Sequence, residues 1–283
     1  MIRILAVLLG LLFGLAGCDG GSYTRNGLQW SYDGKPFTPD DPKTFRALDK
    51  HFARDAKRGY CRGSTIDGSD GASFEALSDH EARDLRTVYY CDTYRKGQEY
   101  WTVRYVRVTP IQAAHAPSYR VLRFGYARDR TRAYEDGVGF TVRDAASFEP
   151  LGSQFARDSE RGYFARAEIP GSHGPTFSPI DTAYARDRTS VYHGHIETGT
   201  PGKEPYPVVR TLRGADAAAL RVLGRGYASD TAHVWYEGAP VLHADAASFA
   251  VIDDAASDID ANDRTGAWKQ GRKSAAAAAA APR

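Results

Sequence analysis

The sequence predicts a mainly β fold made of tandem repeats of about 29 residues, each a hairpin-like meander unit closed by a short helical turn. Three observations lead there. A short aromatic-Ala-Arg-Asp run recurs along the chain, a pair of apolar anchors recurs in step with it, and Asp-Gly or Glu-Gly dipeptides stand where hairpins should turn. The units are expected to stack into one elongated array, with closure into a propeller as the alternative. A length of 29 residues is short for a four-stranded propeller blade.

The recurring run is clearest at Tyr126-Ala127-Arg128-Asp129 and Tyr184-Ala185-Arg186-Asp187, with looser copies at Phe52, Phe155 and Tyr227. Its aspartates are Asp55, Asp84, Asp129, Asp158, Asp187, Asp230 and Asp263, and an aromatic stands five residues after each, from Tyr60 to Trp268. The second anchor is a large apolar residue with Leu or Ile three positions on, as in Phe45/Leu48, Phe148/Leu151 and Phe249/Ile252. Its copies are spaced by 29, 45, 29, 29, 43 and 29 residues. Two anchors that shift together define about seven units with two insertions, near 92–107 and 197–207.

Each unit has a physical reading. Tyr-Ala-Arg-Asp alternates as a half-buried strand does, and its aspartate can accept backbone N–H groups in a turn. A second strand carries the aromatic. Asp33-Gly34, Asp136-Gly137 and Glu237-Gly238 then favour a tight turn, because both positions tolerate positive φ. A third short strand follows. The unit ends in segments such as Asp144-Ala145-Ala146-Ser147-Phe148, an N-cap aspartate and one helical turn, with Phe148 and Leu151 on one face of that turn. One such unit buries too little apolar surface to fold alone, and stacked neighbours supply the rest.

These motifs resemble the DKNYY repeat family of bacterial envelope proteins. In that family an aromatic-Ala-Lys-Asp run leads through Lys-Asn to a Val-Tyr-Tyr strand and a glycine turn. The matches are Tyr126 to Asp129, Tyr184 to Asp187 with Val191-Tyr192, and Val234-Trp235-Tyr236 with Gly238. The chain departs by using Arg for Lys, and Thr or Ala for Asn. The resemblance covers about residues 30–268; it implies architecture and an envelope location, and no chemistry.

The N-terminus supports that location. Residues 1–17 have a basic start, an apolar run of about ten residues and Leu15-Ala16-Gly17 before Cys18, the pattern of a secretory signal ending in a lipobox. Cys18 is the expected acylation site and first mature residue, with residues 18–29 as a short tether. The expected anchor faces the periplasm, and Asp19 favours the inner membrane over the outer. Residues 269–283 form a low-complexity alanine-rich tail. With 37 basic and 35 acidic residues finely mixed and a net charge of +2, the chain has no basic block for nucleic acid. Cys61 and Cys91, an even pair in an exported protein, are expected to form a disulfide between adjacent units, the other reading being two buried free thiols. Their positions in the repeat are offset by one residue, which on ideal strands turns the side chains to opposite faces; a bulge at Tyr89-Tyr90 would correct this.

The first insertion carries the candidate binding residues Tyr94, Tyr100, Trp101, Arg104 and Tyr105. Residues 100–108 read as a long strand with Trp101 and Tyr105 on one face, suited to a protein interface or to stacking on sugars. The second insertion, rich in Gly, Pro and Thr, reads as an exposed loop. His193-Gly194-His195 puts two imidazoles on one strand face without a third ligand nearby, and the repeated aspartates are too sparse for calcium, so no metal site and no cofactor is expected. No nucleophile elbow, P-loop or dinucleotide fingerprint is present. The function that follows is a non-enzymatic binding or scaffold module in the cell envelope. Recognition of envelope glycan is one alternative, and an enzyme with a site assembled across repeats is another.

Overall fold

The computed structural model describes residues 22–199, 204–254 and 257–274. The expected signal segment, Cys18 and the alanine run from 275 lie outside them. Eight antiparallel sheets are described in chain order, one of three strands and then seven of four. The three-stranded sheet joins Tyr23–Asn26, Gln29–Tyr32 and Lys35–Phe37, so strand structure begins within the stretch expected to be a tether. The last strand, Arg272–Lys273, extends past the expected end of the repeats. Contacts divide the chain into two bodies: one holds residues up to Ala82 with Cys91–Val108, the other Arg83–Tyr90 with residues from Thr109 onward.

A typical unit pairs Glu149–Pro150, Phe155–Arg157, Gly162–Phe164 and Ala167–Glu168 in that order, a four-stranded meander. The first strand escapes sequence reading because two residues are too few to show a period. It also corrects the placement of the apolar pair. Phe148 and Leu151 do not share a face of the helical turn; they flank this short strand and pack into different clusters. Phe148 joins Tyr126, Phe140 and Tyr163, whereas Leu151 packs with Phe155, Phe177 and Tyr192.

The Tyr-Ala-Arg strand also differs from expectation, being buried on both faces. Phe155 and Ala156 are both almost fully buried, Phe155 in the cluster with the following unit and Ala156 in the cluster with the preceding one. The alternation is real, but both sides of the sheet face protein. Alanine suits the second position because the neighbouring sheet leaves little room there. In the second body, successive clusters link unit to unit in order, the pattern of an open stack. Burying each ring contributes roughly 1.5–3 kcal/mol. Packing is close enough that a Cβ on Gly162 would meet the Phe177 ring at 2.5 Å. At Asp136-Gly137 and Glu237-Gly238 both residues have positive φ, as the hairpin signal requires.

Polar groups repeat as regularly as the rings. Asp158 Oδ1 accepts the N–H groups of Glu160 and Arg161 at 2.8 and 2.7 Å, closing the turn. Its Oδ2 accepts the Tyr163 hydroxyl at 2.6 Å and the N–H groups of Arg143 and Asp144, both at 2.9 Å. Asp55, Asp129 and Asp187 repeat this arrangement, with His115 and His173 supplying the N–H given elsewhere by Asp41 or Asp144. Asp144 caps its helical turn as expected, accepting Ala146 N–H at 3.1 Å. The arginine before each central aspartate reaches the other way. Arg54 donates to the carbonyls of Gly71, Ala72 and Phe74, and Arg157 to those of Pro175 and Phe177. Arg83, Arg128 and Arg186 do the same for the helical turn of the unit that follows each.

Burial alone would raise the Asp158 pKa, but the hydrogen bonds from Tyr163, Asp144, Arg161 and Glu160 outweigh it and hold the carboxyl below its ordinary range. Asp158→Asn therefore places an amide among donors only, and should lower stability to urea by about 2–3 kcal/mol, against about 1 kcal/mol for Tyr163→Phe. An unchanged urea midpoint for Asp158→Asn would show that the carboxylate does not hold the unit.

Candidate functional site

The first insertion lengthens a hairpin and adds a tip to it. Val88–Tyr94 and Tyr105–Pro110 are its strands, and Gly97–Glu99 forms a single 3-10 turn between them. The long strand expected over 100–108 thus starts only at Tyr105, and Trp101 and Tyr105 do not share a face. Gly97, with positive φ, and the turn after it bend the chain before a strand can begin.

The five expected residues separate into two groups. Tyr105 stacks on Tyr94 at 5.4 Å between ring centroids, with the Lys96 ammonium 4.5 Å from its ring. The Tyr105 hydroxyl donates to the Glu99 carboxylate, and that hydrogen bond raises the phenol's pKa. Arg107 lies 5.8 Å from the Tyr94 ring and pairs with Asp92 at 3.4 Å. Tyr100 and Trp101 form the second group, edge to face at 5.1 Å. Arg95 donates to the Tyr100 carbonyl at 3.1 Å and lies 5.9 Å from its ring. Trp101 is 83% exposed, which sets it apart from the other tryptophans of the fold. Arg104 joins neither ring group; with Tyr105 it lines an open cleft of about 440 Å³ whose other wall is the three-stranded sheet.

That cleft brings in Tyr32, Lys35, Phe37 and Arg62, which no linear motif marks. The available signal was the cysteine pair. Cys61 precedes Arg62, Cys91 leads into the insertion, and the two are disulfide-bonded with Cα atoms 6.6 Å apart. No bulge is needed to explain the bond. Cysteines on two sheets that face each other must project from opposite faces of their own strands, and the one-residue offset provides that.

The histidines take structural places. His115 and His173 occupy the cap position held elsewhere by aspartate, with Nδ1 2.7 Å from Ser118 Oγ and 2.9 Å from Thr176 Oγ1. His193 is buried against Tyr184, with ring centroids 4.7 Å apart, and its Nδ1 has no hydrogen-bond partner among the described residues. His195 is 5.6 Å from it, ring to ring. Among the described residues no three His, Cys, Asp or Glu side chains converge as metal ligands. The oxygens of the repeated aspartates are occupied by N–H and O–H donors, the turn-capping role expected of them.

In comparisons with known proteins, a sequence model described as the DKNYY family matches residues 31–196, more than half of the chain. No curated protein and no solved structure matches it.

His193 carries a pH prediction. Burial, then the neighbouring His195 and Arg210, push its pKa down from 6.5 to about 4. Between those values the unfolded chain binds a proton that the folded chain refuses, so stability falls as pH drops from about 6.5 to 4, by on the order of 3 kcal/mol. His193→Gln should flatten that part of the urea-midpoint profile. An equal slope in variant and parent would assign the pH dependence to other groups.

Proposed function

Starting from a chain that belongs to the DKNYY family, we propose that it is a non-enzymatic binding module held at the cell envelope by lipid on Cys18, with the Tyr100–Trp101 corner as its docking surface for an envelope protein. One observation carries this reading. An indole 83% exposed stands at the tip of an insertion whose other rings are fixed by stacking and by cations, so the platform beneath it is ordered before any partner arrives. A large apolar side chain in that position gains most of its burial on association. The lipobox-like Leu15-Ala16-Gly17-Cys18 supports the anchor. No helix of the described residues is long and apolar enough to cross a membrane. Recognition of cell-wall glycan is the second reading, supported by the open indole with Arg95 beside its Tyr100 neighbour.

Two measurements test this. Cys18→Ser should abolish labelling by a palmitate analogue and move the protein out of the membrane fraction; continued labelling would exclude Cys18 as the anchor. In-cell cross-linking followed by mass spectrometry should yield a stoichiometric protein partner that is lost in Tyr100→Ala/Trp101→Ala. Capture unaffected by the double substitution would refute the docking surface. Cross-linking to cell-wall material in place of protein would favour the glycan reading.

A further inference from the structure

We propose that the cleft between the three-stranded sheet and the base of the insertion is a binding site for an acidic sugar, a saccharide ring bearing a carboxylate or phosphate. The site is separate from the Tyr100–Trp101 corner and goes beyond the docking function.

Charge is the first argument. Lys35, Arg62 and Arg104 line the cleft with Asp33, three cations against one carboxylate. Among the described residues none of the three cations is ion-paired, although ion pairs occur elsewhere in the chain, as at Arg58–Asp40 and Arg143–Glu168. A charged oxygen is the strongest acceptor for guanidinium and ammonium groups that line a cleft without a carboxylate partner.

Shape is the second. Tyr32, Pro36, Phe37, Tyr105 and Val106 give the lining an apolar part suited to the C–H face of a ring, and Ser64 and Thr93 add hydroxyls beside it. A volume of about 440 Å³ holds a sugar of one or two rings. An inorganic anion alone would leave the apolar wall unused.

Rigidity is the third. Arg62 and Gly63 form the tight turn between Gly59–Cys61 and Ser64–Thr65, with φ of 51° and 81°. Cys61 joins this hairpin covalently to the strand that carries Thr93 on the opposite side of the cleft. Tyr105 is held by Tyr94, Lys96 and Glu99. The walls are therefore set before a ligand enters, which removes the ordering cost of binding.

The test is isothermal titration of the full chain in detergent micelles with galacturonic acid, glucose 6-phosphate and the neutral sugars galactose and glucose. One or both acids should bind, and the pair identifies whether carboxylate or phosphate is preferred. The neutral sugars, and each acid with Arg62→Gln or Lys35→Gln, should bind at least about tenfold more weakly, the loss of one charge-assisted hydrogen bond. Lys35 is exposed, so its substitution does not threaten the fold. Tyr100→Ala/Trp101→Ala should titrate like the parent. Binding of neither acid, equal binding of the neutral sugars, or full affinity in both charge variants would overturn the proposal. Loss of acid binding in Tyr100→Ala/Trp101→Ala would move the site to the corner, overturning this proposal while leaving the docking surface in place.

Discussion

A carboxylate buried at the end of a short strand organises each unit, because its two oxygens serve different segments. Oδ1 closes the turn that follows, while Oδ2 holds the start of the helical turn fourteen residues earlier and the phenol five residues later. Outside the two lengthened hairpins, the strands have only two to four residues, too few to fix their own position by pairing alone. The carboxylate supplies the missing constraint, at the cost of desolvation that several donors must offset. At Asp129 burial is outweighed by the donors, led by the N–H groups of His115 and Thr131, and the pKa falls to about 2. The sixth and seventh units keep the aspartate and replace the tyrosine with Trp235 or Trp268, so packing takes over from the phenol.

Much of this was legible before the structure. The spacing of Asp55 to Asp263 and their aromatic partners revealed the unit, the Asp-Gly turns located its hairpin, and Asp144 announced its cap. What was not legible shares one cause: sequence periodicity shows that a residue is buried without showing against what. Ala156 reads as the tolerant residue of a half-buried strand until the preceding unit is seen to cover it. Phe148 and Leu151 read as one helical face because a two-residue strand between them has no pattern of its own. The cysteine offset looked like an obstacle on a single sheet and is a requirement on facing ones.

The candidate site was partly legible for the same reason. Aromatic and basic residues in an insertion could be recognised, but their division into a held group and an exposed pair depends on where the strand begins. The opposite wall of the cleft comes from the first sheet, far away in sequence, and the cysteine pair marks the approach of the Arg62 turn to the insertion but not that of the first sheet. Chemistry-bearing residues in a repeat fold are therefore better sought at departures from the repeat than within it. The regular positions are committed to holding the units together.

The arginine before five of the seven aspartates gives these interfaces a polarity. Arg157 donates forward to the carbonyls of Pro175 and Phe177, and Arg128 forward to those of Ala145 and Ala146; with Arg54, Arg83 and Arg186 they give five successive junctions the same donor side and the same acceptor side, while Ser229 and Asn262 stand in that place before the last two aspartates. A gene that loses or duplicates one whole unit by unequal crossing-over re-creates that junction without a new surface having to evolve. Copy number can then drift in whole steps while the fold persists, whereas an out-of-step exchange would strand a guanidinium opposite no carbonyl and be removed by selection.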